Sequence, residues 1–106
     1  MDIKQIQPQL KFFLQTVSRF VKVDQMIIFG SYMEGTAKRD SDIDVIVVSE
    51  NFKNIDNFDR SRLLDKAAGD IDPEIQAWGF TRDELEAADE LTTLGHARTS
   101  GIRLSI

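Results

Sequence analysis

Two short apolar runs, Gln25 to Phe29 and Ile43 to Val48, constrain the fold of this chain more than any other feature. The first reads as a buried strand ended by Gly30-Ser31, and the second, rich in β-branched residues, as another. A polar turn, Glu34 to Ser41, lies between them. Upstream, Ile3, Ile6, Leu10, Phe13, Leu14, Val17, Phe20 and Val21 recur at three- and four-residue steps and lay one apolar stripe along a helix, with Pro8 tolerated only near its start. Downstream, residues 57 to 68 read as a helix carrying Phe58, Leu63, Leu64, Ala67 and Ala68, with Gly69 placed to stop it. A third strand is expected at about Glu74 to Trp78. Thr81 and Glu84 form a Thr-x-x-Glu capping box that opens a last helix through Leu85, Ala88 and Leu91. Ile102, Leu104 and Ile106 then alternate like an edge strand. This order predicts an α/β (α+β) fold in two layers: a small mixed β-sheet with helices packed against it.

Composition narrows the possibilities. With 42% hydrophobic and 29% charged residues in 106, disorder is excluded and a single domain over residues 1–106 is expected. No apolar stretch is long enough to cross a bilayer, and the N-terminus lacks the layout of a signal peptide, so a cytoplasmic protein is expected. There is no cysteine, which removes disulfides, thiolate metal sites and a cysteine nucleophile and leaves carboxylates as the natural metal ligands. The net charge of -5 sits in the second half. No basic stripe of the kind a polynucleotide backbone calls for is present, and a nucleic-acid partner is left open rather than supported.

The chemistry concentrates between the two apolar runs, where Gly30-Ser31 is followed after ten residues by Asp42-x-Asp44. A glycine closing a buried strand lets the backbone turn sharply and approach a ligand, with N–H groups available to phosphate oxygens; Ser31 adds a hydroxyl. Because strand side chains alternate, Asp42 and Asp44 share one face. Two carboxylates so close repel, which raises their apparent pKa, and hard divalent cations relieve that repulsion while bridging to triphosphate oxygens. Magnesium is the expected metal.

These residues resemble the active-site signature of the DNA polymerase beta-like nucleotidyltransferase superfamily, and in particular its minimal, single-domain members of the antitoxin type. The resemblance implies a nucleotidyltransferase (polymerase beta palm-like) fold. It places Gly30 and Ser31 on the triphosphate and Asp42 and Asp44 on the metals. It also implies Mg-dependent transfer of a nucleoside monophosphate, AMP being the expected group, from a nucleoside triphosphate such as ATP to a hydroxyl acceptor, with pyrophosphate leaving. Minimal members often act as antitoxins beside a helical HEPN-type toxin, so such a partner, and a homo- or hetero-oligomer, are expected. A catalytically degenerate module that only binds nucleotide or a partner is the alternative.

The family's third carboxylate is where this chain departs from the pattern. Relatives of this subgroup carry Ile-Asp-x-x-Ile-Glu-Pro ahead of a Phe-Thr or Phe-Ser helix start, the Glu being the third ligand. Here the segment reads Ile71-Asp72-Pro73-Glu74-Ile75-Gln76-Ala77-Trp78-Gly79-Phe80-Thr81, so Gln76 stands in that place. Glu74, one strand period earlier on the same face, is the expected substitute, ahead of a lost ligand and of Asp72; activity is expected to be weak or to depend on that substitute. Lys38 and Arg39 are candidate phosphate-steering residues in the turn. Asp40 is expected to cap that turn, Trp78 to pack in the core or an interface despite its ability to stack on a base, and His96 to be structural.

Overall fold

The computed structural model describes residues 2–104. Its centre is a four-stranded sheet in the order β3-β2-β1-β4, made of β1 (Gln25–Phe29), β2 (Ile43–Val48), β3 (Ile75–Phe80) and β4 (Ile102–Leu104). β1 runs antiparallel to β2 and to β4, with Phe29 opposite Asp44. β2 and β3 are parallel, with Asp44 beside Gln76 and Ile46 beside Trp78. The sheet is therefore mixed, as the element order implied. A parallel pair needs a crossover, and α3 (Asn57–Ala68) supplies it, capped by the Asp56 side chain and stopped at Gly69.

The strand period of two sorts the core. Met26, Ile28, Ile43, Val45, Val47, Ile75 and Ala77 face one way and pack with Leu10, Phe13 and Val17 of α1 (Gln7–Val17) and with Leu64, Ala67 and Ala68 of α3. On the other face Ile27, Ile46 and Val48 pack with Leu85 and Ala97, which belong to α4 (Arg82–Ala87) and α5 (Thr93–Ser100). Helices thus cover both faces, giving three layers instead of the expected two. The reason lies in β2: five of its six residues are buried, and a strand apolar on both faces needs cover on both.

Three local features differ from the sequence reading. The N-terminal stripe is not one helix, since Ile3–Ile6 is a 3-10 turn with an Asp2/Gln5 capping box, and α1 begins around Pro8 and ends at Val17. Val21 remains buried from the following turn, so its place in the periodicity reflected burial and not helix. The predicted last helix is two. Ala88 is extended and ends α4, Leu91 is 96% exposed, and α5 starts afresh with the Thr92 side chain capping Gly95 N–H. Gly95 is required there because a Cβ would overlap Asp89 O in the connecting loop. Finally, Ser31–Glu34 forms a one-turn helix, α2, where a turn was expected.

A single buried guanidinium joins several of these parts. Arg60 on α3 is 5% exposed. It donates to Ile55 O (2.7 Å), Phe52 O (2.6 Å) and Gly79 O (3.2 Å), lies over the Phe52 ring, and pairs with Glu84 on α4 at 2.7 Å. β4 takes the expected edge position, while Ile106, also assigned to it from sequence, lies outside the described residues. No described helix is long and apolar enough to cross a membrane.

Candidate active site

β1 and β2 are antiparallel neighbours, so the end of one lies beside the start of the other. Gly30 follows Phe29 directly and has φ 69°, a conformation that L side chains rarely adopt. An added Cβ there would run into Asp44 Oδ2. The glycine that turns the chain is thus also the surface against which one carboxylate rests. Two requirements, positive φ and close approach, fall on the same residue.

Asp44 is partly buried and Asp42 exposed, both on the sheet face covered by α4 and α5. Burial, and after it the neighbouring Asp42 charge, raise the Asp44 pKa above the ordinary carboxylate range. Burial, and not the repulsion expected of a same-face pair, is the larger cause for Asp44. Gln76 completes the cluster from β3: its Nε2 donates to Asp42 Oδ2 at 3.0 Å. The parallel register that sets Gln76 beside Asp44 makes the amide the third member of the group. Glu74 is exposed just before β3 begins; its carbonyl accepts from Ile43 N–H at 2.8 Å, and no hydrogen bond ties its carboxylate to the pair. Asp72 is an exposed turn residue whose carbonyl accepts from Gln9 Nε2 at 3.1 Å.

The donor set suits one hard cation: two carboxylates on one face, with Gln76 able to offer its amide oxygen if it rotates away from Asp42. Among the described residues no group of three or more His, Cys, Asp or Glu side chains is arranged to hold a metal.

Lys38 and Arg39 lie exposed in the loop before the pair, and no hydrogen bond or ion pair of their side chains fixes them to it. The turn they occupy is closed by Ser41, whose hydroxyl accepts from Lys38 N–H at 2.8 Å, and not by Asp40 as expected. Tyr32, on α2, turns into the core; its hydroxyl has no partner and burial raises its pKa. Of the core and interface roles expected of Trp78, the structure excludes the core: it is 40% exposed and meets Phe29 with ring centroids 5.5 Å apart. His96 is an exposed residue of α5 beside a shallow cavity that also touches Gly30.

Comparison with known proteins agrees with this geometry. The chain is 37% identical over 74 residues to a protein adenylyltransferase, MntA, of Shewanella oneidensis. The match takes in 70% of this chain and 52% of that protein, so the chain spans about half the length of this relative. A candidate nucleotidyltransferase from Sulfolobus solfataricus shares the fold, with a TM-score of 0.60 at 19% identity over 92% of this chain and 83% of that one. A toxin-antitoxin structure containing AMP-PNP superposes with a TM-score of 0.60 at 27% identity, over 91% of this chain and 69% of that one. The nucleotidyltransferase domain model matches residues 10–94, from α1 through the start of α5 and including every candidate residue above, and the chain accordingly belongs to that family of nucleotidyltransferase domains.

Proposed function

We propose that this chain transfers a nucleoside monophosphate, AMP in the first instance, from a Mg-bound nucleoside triphosphate to a hydroxyl acceptor. The observation that carries the reading is the packing of Gly30 against Asp44, with Asp42 on the same face. Backbone and Ser31 hydroxyl at this turn would receive phosphate oxygens, and Asp42 and Asp44 would hold the metal. When bound, a divalent cation supplies charge neutralisation between the carboxylates and the triphosphate. Asp44, held partly out of water, is the fixed member of the pair; Asp42, exposed, faces the side from which an acceptor enters. Lys38 and Arg39, both exposed, would steer phosphates at long range and not clamp them.

The similarity to a protein adenylyltransferase and to a toxin-antitoxin structure containing AMP-PNP supports ATP as donor, a protein acceptor and a toxin as partner; a HEPN-type toxin and a cytoplasmic setting are the further parts of the proposal. Titration of ATP with and without Mg against the native chain and an Asp42→Asn, Asp44→Asn double variant tests the reading. Binding that needs both Mg and the carboxylates is expected, and equal binding in all four conditions would refute it.

One observation favours a second reading, a domain that binds nucleotide with little turnover. Gln76, which by resemblance stands where relatives have their third carboxylate, donates its amide N–H to Asp42 and adds no negative charge for a cation. Turnover with ATP and a supplied acceptor, compared among native, Gln76→Glu and Glu74→Gln chains, separates the two. A rise only in Gln76→Glu marks an impaired site; collapse in Glu74→Gln marks a working one displaced by a strand period.

A further inference from the structure

We propose that a cavity beside Asp44, floored by Trp78, receives the nucleobase of the donor nucleotide; this rests on the nucleotide-transfer reading above and names where the rest of the donor goes. The cavity has a volume of about 530 Å³, and Phe29, Asp44, Ile46, Trp78, Thr93 and Leu94 are among the residues that line it. That is ample for a nucleoside and typical of small-molecule sites.

Its floor is an aromatic bridge. Phe29 belongs to β1 and Trp78 to β3, with β2 running between them. Phe29 stands opposite Asp44, and Trp78 beside Ile46. Their rings nevertheless meet at 5.5 Å with a 57° tilt, which requires both to lean over β2 between the carboxylate and the apolar cluster beneath α5. The pair separates a charged end of the sheet face from an apolar one. Trp78 keeps 40% of its surface exposed, an arrangement that leaves a broad indole face for a planar ring.

Three features favour the base over an acceptor group. Phe29 is covalently adjacent to Gly30, and the cavity touching Gly30 and the one touching Asp44 share Phe29, Thr92 and Thr93. A triphosphate at the Gly30 turn and a base over Trp78 are thus the two ends of one molecule passing Asp44. In-line transfer also requires the acceptor to enter opposite the departing pyrophosphate, and the exposed edge at Asp42 and Gln76 remains open for it. Finally, Thr92 and Thr93 set polar groups beside Phe29, Ile46, Trp78 and Leu94 in the lining, the mixture that a heteroaromatic ring with polar edges calls for.

Trp78 is the chain's one tryptophan, so the ligand reports on itself. In the presence of Mg, ATP should quench its emission and inorganic tripolyphosphate, which has no base, should not. By calorimetry, Trp78→Leu should weaken ATP roughly ten-fold, the usual worth of one stacked base, and leave tripolyphosphate unchanged, with Trp78→Phe between the two. Unchanged ATP affinity in Trp78→Leu without quenching in the native chain would overturn the base site and give the cavity to the acceptor, leaving nucleotide transfer intact. Equal weakening of ATP and tripolyphosphate would overturn it as well, showing a structural role for Trp78. Failure of the native chain to bind ATP at all would refute both this proposal and the function on which it rests.

Discussion

Replacing Gln76 by glutamate supplies the third carboxylate that the family resemblance leads one to expect, and the structure sets the size of the effect. The amide now donates to Asp42 Oδ2 at 3.0 Å; the variant loses that hydrogen bond and sets a third anion beside Asp42 and Asp44. Loss of the bond costs about 0.5–1.5 kcal/mol. Two unit charges about 4 Å apart repel by about 1 kcal/mol in water and more where the surroundings are less polar, and the exposure of Asp42 and Gln76 keeps the value near the lower limit. Without divalent metal the variant should therefore be less stable by about 1–3 kcal/mol, which in a domain of this size lowers Tm on the order of 5–15 °C. Magnesium should reverse the sign, because the same three carboxylates then become ligands. Turnover with ATP and a supplied acceptor should rise on the order of ten-fold or more, as expected when an anionic group near the attacking hydroxyl is regained. Melting curves in EDTA and in Mg, for native and variant, are the assay. A variant that melts like the native chain in EDTA and gains nothing from Mg would show that residue 76 does not belong to the metal site.

Other perturbations test the frame around the site. Arg60→Ala strands the carbonyls of Phe52, Ile55 and Gly79 and should cost about 3 kcal/mol, measured as a shift in urea midpoint. Burial, the largest single influence, raises the Glu84 pKa, yet the Arg60 hydrogen bond and charge together with Thr81 bring it below the ordinary value. Its folded pKa thus lies below its unfolded one, so the unfolded chain binds more protons in the window between them. That contribution is present above the unfolded pKa and should vanish as pH falls through the folded one, and Glu84→Gln should flatten this part of the acid limb in urea titrations. Gly30→Ala forces a side chain into positive φ and against Asp44; a loss of about 1–3 kcal/mol in thermal melts and of Mg-ATP binding by calorimetry is expected.

Some of this architecture is written locally and some is not. β1 and β2 match their sequence assignments to the residue, because short apolar runs bounded by polar turns have few other ways to bury themselves. Strand alternation foretold the Asp42/Asp44 pairing, although Asp42 lies one residue ahead of β2 and is also held by Gln76. The break between α4 and α5 was not visible in apolar spacing, since Leu91 keeps the helical interval while standing almost fully in solvent. The signal was polar instead: Asp89 accepts from Leu91 N–H, and Thr92 both donates to Asp89 O and caps α5. The position of Gln76 against Glu74 depends on how β3 registers with β2, a long-range fact that no local pattern contains. Trp78 shows the same limit: an aromatic residue in a strand reads as core until the layer above it is seen to stop short.

β2 has a neighbour on each side and a layer on each face. A segment so enclosed can exchange its amide hydrogens only when much of the molecule comes apart. Asp44 therefore rides on the slowest-opening part of the chain and Asp42 on its threshold, so the anionic pair is carried by the region that forms the last refuge of native order. Fraying at either terminus should therefore leave Asp44 in place.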